Sequence, residues 1–367
     1  MAKRLREVLA RHVEAGTIPG AIATHGTECD PLLVGSAGVD GGALKADAIV
    51  RIQSMTKLIT TVAALRLVEQ GAIALDDGIE SWMPELADRR VLAHPMADVD
   101  DTVLAERPVS LRDLLTNQAG YGIITVDSPL QRALRDAGLE ANNDPVGRGA
   151  QDWLDALATL PLAHQPGRGW RYHLGFGILG ILLGRVAGTS TAELLRRSVL
   201  DPVGMPDTGF RVPDDQAHRL LPAYRRTPEG LVEAEPAGGG FHTGPAPFDE
   251  SHSELVSTLA DYHAFLRALL DGELVGPALL DELRTDQVDA AVKTPESFFP
   301  GFWDGLGWGF GVSVTAEGPH RGRFGWSGGY GTDFFVDPDG TICIVLAQVE
   351  MDERLLAMFG ELRDAVG

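Results

Sequence analysis

At 367 residues and 44% hydrophobic composition, the chain has room for about two domains with a substantial core. A net charge of −21, from 31 basic and 52 acidic residues, argues against nucleic acid and anionic membranes as partners. Cys29 and Cys343 are too few for a disulfide framework, Met1–Gly16 lacks the apolar stretch of a signal peptide, and no run reaches the length of a membrane span, so a cytoplasmic location is expected.

Leu5, Val8, Leu9 and Val13 recur at helical spacing and predict a first helix, ended by Gly16 and Pro19-Gly20. Strand-like runs follow at 21–25 and 32–36. Residues 54–70 then read as a helix that is small or apolar on nearly every face, closed by Gly71 and therefore buried on most sides. From Asp76 to Val126 the pattern is mixed: a short helical piece at 79–86, an acidic loop at 93–108, and a helix behind Ser110 that Asn117-Gln118-Ala119-Gly120 breaks. Helices are predicted at 151–160 and at 176–188, the second carrying Gly177, Gly180, Gly184 and Gly188 as a stripe on which a neighbour can pack closely. The stretch 227–254, rich in Gly, Pro and Glu, reads as a long surface loop. A helix at 255–270, strands at 308–315, 322–326, 332–336 and 341–348, and a closing helix at 351–366 complete the chain. Strands near both termini and helices between them predict an α/β (α+β) fold with an antiparallel sheet flanked by helices. The sheet domain would comprise 1–75 with 255–367, a mostly helical domain would be inserted at 76–254, and the active site would lie between them.

The buried helix carries the first piece of chemistry. Ser54 and Lys57, three residues apart at its head, share a helix face, so hydroxyl and ammonium should sit side by side. An ammonium in apolar surroundings loses solvation and becomes able to accept a proton, and a serine at the positive end of a helix dipole is where an alkoxide is stabilised. Only four of the 31 basic residues are lysines (Lys3, Lys45, Lys57, Lys293); arginine serves elsewhere, and arginine cannot act as a base. A serine three residues before one of four lysines arises by chance with a probability on the order of 0.2, so the pair needs its context. The buried helix supplies it.

Tyr172 follows the turn Gln165-Pro166-Gly167 and precedes the glycine-striped helix, a position from which a phenol can project into a cleft. Near an ammonium its pKa should fall, which would suit it to shuttle a proton; an ordinary half-buried tyrosine would look the same in sequence. Phe324-Gly325-Trp326-Ser327-Gly328-Gly329 combines a strand end with glycines whose amides could join the Ser54 amide in holding an oxyanion, or it is simply a bulged hairpin. Gly175-Phe176-Gly177-Ile178-Leu179-Gly180 fits a dinucleotide pattern, but no hydrophobic strand precedes it. The ten histidines show no metal-binding spacing, and His242, His252 and His263 have no G-x-S-x-G serine to serve, so they read as surface or core residues. Neither a metal nor a cofactor is expected.

Ser54-Met55-Thr56-Lys57, Tyr172 and Trp326-Ser327-Gly328-Gly329, in that order, resemble the three motifs of the serine β-lactamase and penicillin-binding-protein superfamily. The chain is most similar to class C β-lactamases and to the related family VIII carboxylesterases. Ile18-Pro19-Gly20-Ala21, Asp201-Pro202-Val203-Gly204-Met205, Leu255-Val256-Ser257-Thr258 and Trp308-Gly309-Phe310-Gly311 extend the likeness over most of the chain. The resemblance implies that Ser54 is the acylated nucleophile, Lys57 its activating partner, Tyr172 the proton shuttle, and the amides of Ser54 and Gly329 the oxyanion hole.

Three departures bear on substrate. Leu174 stands where the lactamases have asparagine, Trp326 where they have a cation, and Ser251-His252-Ser253-Glu254 where the family has glycines. Arg321 and Arg323 are close enough in sequence to offer a replacement cation. Tyr121, Trp303, Trp308 and Trp326 are candidates for an apolar substrate pocket. The expectation is a hydrolase for carboxylic esters of short or medium acyl chains. Its enzymatic rival is an amidase, peptidase or β-lactamase acting on a small-molecule amide. A non-catalytic ligand sensor on the same scaffold is the rival from another class, although such a protein need not keep the tyrosine.

Overall fold

The computed structural model describes residues 2–366. A seven-stranded antiparallel sheet runs in the order Leu32–Gly35, Gly20–Gly26, Ile342–Leu346, Thr332–Val336, Phe324–Gly328, Ser313–Thr315, Leu306–Trp308. The first strand of the chain thus pairs with the last across the length of the protein: Ile22 faces Leu346 and Gly26 faces Ile342.

Alternation of side chains along each strand separates two layers. Cys343 and Val345 pack with Phe335 and Ala23 against the terminal helices Ala2–Glu14 and Glu353–Val366, which contribute Leu5, Leu9, Leu355, Phe359 and Leu362. Ile342, Ile344 and Leu346 point the other way, into a larger core shared with helices Thr56–Glu69 and Leu259–Leu270. The same core takes in the helices Leu111–Leu115, Pro129–Asp136, Ala150–Ala158 and Leu174–Ala187. Ser110 opens the first of these with a reciprocal capping box through Asp113. No single helix among the described residues is long and apolar enough to cross a membrane.

Several elements differ from their sequence-based bounds. The run 308–315 is two strands, because Gly311 takes φ of 73° and folds the chain into a hairpin. Residues 102–104, inside the acidic loop, pair with Arg90–Leu92. The helix expected from 255 starts at Leu259 behind the Thr258 cap, since Val256 and Ser257 pair with Val50 and Arg51.

The largest difference is at 227–254. Its first part completes the hairpin Ala223–Thr227 with Gly230–Glu235, but Glu250–Glu254 is buried rather than spread over the surface. The glycine stripe of the 174–187 helix is what admits it. A Cβ on Gly180 would sit 2.3 Å from Ser251 Oγ, and one on Gly177 would meet Trp153 at 2.8 Å and Glu250 at 3.3 Å. Gly180→Ala is therefore expected to destabilise by ~1–3 kcal/mol through overpacking, despite alanine's better helix propensity. Thermal melts of Gly180→Ala with and without Ser251→Gly check this. The second change should restore stability, and equal melting of Gly180→Ala and wild type would refute the contact.

Candidate active site

The reacting groups follow two backbone turns that are themselves strained. Gln53 has φ of 51° and leads into the 3₁₀ turn Gln53–Met55, from which helix Thr56–Glu69 continues. His173 has φ of 97° and stands between Tyr172 and helix Leu174–Ala187. Positive φ at a non-glycine residue persists only where the surroundings enforce it. Around Ser54 they do. The Thr332 hydroxyl donates to the Ile52 carbonyl at 3.0 Å, the Tyr262 hydroxyl to the Met55 carbonyl at 3.0 Å, and the Gln348 amide exchanges two 3.0 Å bonds with the Arg51 backbone.

Ser54 thus sits in the turn before the α-helix rather than inside it, yet the expected pairing is present. Lys57 Nζ donates to Ser54 Oγ at 3.0 Å and to the His252 carbonyl at 2.6 Å, and lies 4.6 Å from the centre of the Tyr172 ring. Lys57 is wholly buried. Burial pulls its pKa from 10.5 down to about 7, while the buried Glu250 carboxylate pulls the other way.

Tyr172 corrects the sequence-based expectation of a lowered pKa. Its ring is stacked among aromatic side chains, and burial drives the phenol well above its ordinary value; hydrogen bonds to Ser54 and Trp326 oppose this and lose. The phenol therefore stays protonated through neutral pH. Trp326 donates its indole N–H to the phenol oxygen, so the residue that replaces the lactamase cation is a hydrogen-bond donor as well as a wall.

A cavity of about 470 Å³ opens over these groups, with Ser54, Tyr172, Trp326 and Gly329 in its lining. Phe298, Phe299, Phe302, Met351 and Leu356 make much of the rest apolar. Of the four aromatic residues expected to form the pocket, only Trp326 lines it. Trp308 is fully buried behind it, edge-on to Trp326 with ring centres 4.7 Å apart. Trp303 packs on Trp170 and donates to Ser297 Oγ at 2.7 Å. Tyr121 is elsewhere, buried against Leu130, Leu134 and Leu157, and burial pushes its hydroxyl up to about 12.

The replacement cation is also not where the sequence suggested. Arg323 is buried in a two-bond ion pair with Asp337, and Arg321 is exposed. Arg363 of the last helix reaches the cavity instead, bonded to Asp333 at 2.8 Å and Ser327 Oγ at 3.3 Å. At the lactamase asparagine position, Leu174 is buried and offers no polar contact.

Sequence reasoning missed the phenylalanines of 298–302, Arg363 and Glu250, and it marks 251–254 only as a departure from the family without showing that the segment is buried. The Phe298-Phe299 pair was the only local signal for the first. His252 was dismissed as a core or surface residue. Its ring is indeed buried, 3.7 Å from that of His173, and burial keeps both imidazoles neutral.

Known proteins resemble the chain along most of its length. The chain is 34% identical over 354 residues to Protein Rv1367c of Mycobacterium tuberculosis, covering 90% of this chain and 86% of that one. It is 30% identical over 340 residues to lovastatin esterase of Penicillium rubens, covering 85% and 82%. The solved structure of EstCE1, described as a hydrolase with promiscuous acyltransferase activity, superposes with a TM-score of 0.81 at 25% identity, covering 100% of this chain and 98% of that one. The Beta-lactamase family model matches residues 5–353, and the chain belongs to that family.

Proposed function

We propose that the protein is a serine hydrolase that cleaves carboxylic esters of short or medium acyl chains through an acyl-enzyme on Ser54. The observation that carries this is Lys57 Nζ, 3.0 Å from Ser54 Oγ and brought by burial to a pKa of about 7. Neutral Lys57 takes the hydroxyl proton as Oγ attacks the ester carbonyl. The Ser54 and Gly329 amides stabilise the oxyanion, and the protonated Tyr172 phenol supplies a proton to the departing alkoxide. The Tyr172 phenolate then takes a proton from the water that attacks the acyl-enzyme, and the Lys57 ammonium returns its proton to Ser54 Oγ as the acid leaves, which restores all three groups. The helical part, 76–254, and the sheet part, 1–75 with 255–367, both contribute to the cavity lining. The two unpaired cysteines fit a reducing, cytoplasmic setting.

The lovastatin esterase, a relative named for ester chemistry, supports an ester over a lactam. So does the cavity. Leu174 and Trp326 remove two polar contacts a penicillin site would use, each worth ~1–3 kcal/mol. Together these predict a kcat/KM for p-nitrophenyl butyrate at least ~100-fold above that for a chromogenic cephalosporin. A preference for the cephalosporin would overturn the substrate class. Ligand binding without any turnover would instead favour the sensor.

A further inference from the structure

Where the family has glycines this chain has Ser251-His252-Ser253-Glu254, and the residue before them, Glu250, is a carboxylate with no exposed surface. Its contacts are unusual for a glutamate. Oε1 accepts from the His252 amide at 2.7 Å, Oε2 accepts from the Ser253 amide at 3.1 Å, and His252 Nδ1 lies 2.5 Å from Oε2. The Ser253 hydroxyl adds a longer bond at 3.4 Å. A carboxylate that accepts from two backbone amides of its own turn fixes the shape of that turn. This turn presents the His252 carbonyl to Lys57 at 2.6 Å and the Ser251 carbonyl to the Thr60 hydroxyl at 3.2 Å.

We propose that Glu250 is a positioning residue for Lys57: its carboxylate folds the turn that sets the His252 carbonyl against the Lys57 ammonium, and it is the buried counter-charge to that ammonium. The proposal rests on the reading of Lys57 as the group that takes the Ser54 proton. It deepens that reading, because it names what holds the lysine in place and in charge balance.

Other titratable groups face the same space, and none can replace Glu250. From the 174–187 helix side come Tyr172 and His173, the first held protonated and the second neutral by burial. His252 is likewise neutral. Glu254 accepts from the Val146 amide at 2.5 Å and is pushed up to about 9, first by burial and then by Glu250 and Asp249, so it carries little charge at neutral pH. Burial raises the Glu250 pKa to about 8 in spite of its amide donors and Lys57, and Glu250 is the carboxylate Lys57 feels. The two amide donors, with the Lys57 ammonium when it is charged, favour the ionised carboxylate against its burial.

The test uses the full chain labelled with 13C at lysine Cε. Four lysines give four signals, and the one lost in Lys57→Arg is Lys57. In Glu250→Gln, which keeps an acceptor for the turn but no charge, the Lys57 titration midpoint should fall by about one unit or more. The acid limb of the ester kcat/KM profile should move with it. Glu250→Ala should add a loss in kcat of ~10-fold or more, because the carbonyl is no longer held. An unchanged Lys57 midpoint in Glu250→Gln overturns the proposal.

Wild-type protein labelled at glutamate Cδ gives a reading that needs no folded variant. One glutamate signal should shift over the pH span in which Lys57 titrates, and none doing so also overturns the proposal. The two readings fail separately. If wild type turns over no ester, the hydrolase reading falls while the lysine titration still decides the role of Glu250. If turnover and Ser54 labelling are intact but the midpoint does not move, only the role of Glu250 falls.

Discussion

Ser54→Ala is expected to lower ester turnover by ~10⁴-fold or more, and Lys57→Met by a similar factor, because nucleophile and base act as one unit whose loss is not additive. The double variant should therefore be hardly slower than either single one. Mass measurement after an active-site phosphonate should show the adduct on wild type and none on Ser54→Ala. Labelling at another residue would end the acyl-enzyme reading.

Lys57→Met carries a second signature that separates lost chemistry from lost fold. A lysine whose pKa falls from 10.5 to about 7 on folding binds a proton more readily when unfolded. Stability then rises with pH between about 7 and 10.5, and the full penalty, on the order of 5 kcal/mol, applies below pH 7. Methionine removes that penalty and leaves the His252 carbonyl without its donor, which costs about 1–3 kcal/mol. The inactive variant should melt no lower than wild type at pH 6. A clearly lower melting temperature would mean that Lys57 is there for structure.

Tyr172→Phe is the second large effect, a loss of ~10²–10⁴-fold in kcat with little change in KM, as expected for a positioned proton donor. The ring stays in its aromatic packing, 5.2 Å from Trp326 and 5.3 Å from Phe298, so the fold should persist, with the Trp326 indole losing its acceptor. The phenol also fixes the shape of the pH profile. Activity requires neutral Lys57, so kcat/KM should rise with pH through a midpoint near 7. Tyr172, held above its usual value of 10, should impose no decline below that pH. A profile falling between pH 8 and 9 would contradict a buried, protonated phenol. Activity of Tyr172→Phe close to wild type would remove the residue from the mechanism.

The parts of this site that were legible in the sequence are those whose geometry is local. Ser54 and Lys57 meet because residues three apart share a helical face, and that holds before any tertiary contact forms. Short apolar runs on either side of the turn Asp337-Pro338-Asp339-Gly340 place the sheet strands Thr332–Val336 and Ile342–Leu346 nearly at their true bounds. The motifs also identified Tyr172 and Trp326, but not that the indole would donate to the phenol. That bond joins residues 154 positions apart.

What stayed hidden was decided by partners distant in the chain. Glu250-Ser251-His252-Ser253 reads as polar loop, and polar residues are normally left to solvent. Here they are buried because the carboxylate satisfies its own turn, the glycine stripe at 177–180 makes room, and Lys57 supplies the opposing charge. Tyr172 went the other way: a phenol beside an ammonium is expected to have a lowered pKa, and desolvation, which only packing sets, reverses it. The sequence by itself determined the pairing of Ser54 with Lys57 and the class of fold, since these depend on spacing and periodicity. Tertiary structure alone decided which side chains line the cavity, which cation reaches it and which protons are held at neutral pH, because solvation and charge pairing depend on where the rest of the chain comes to lie.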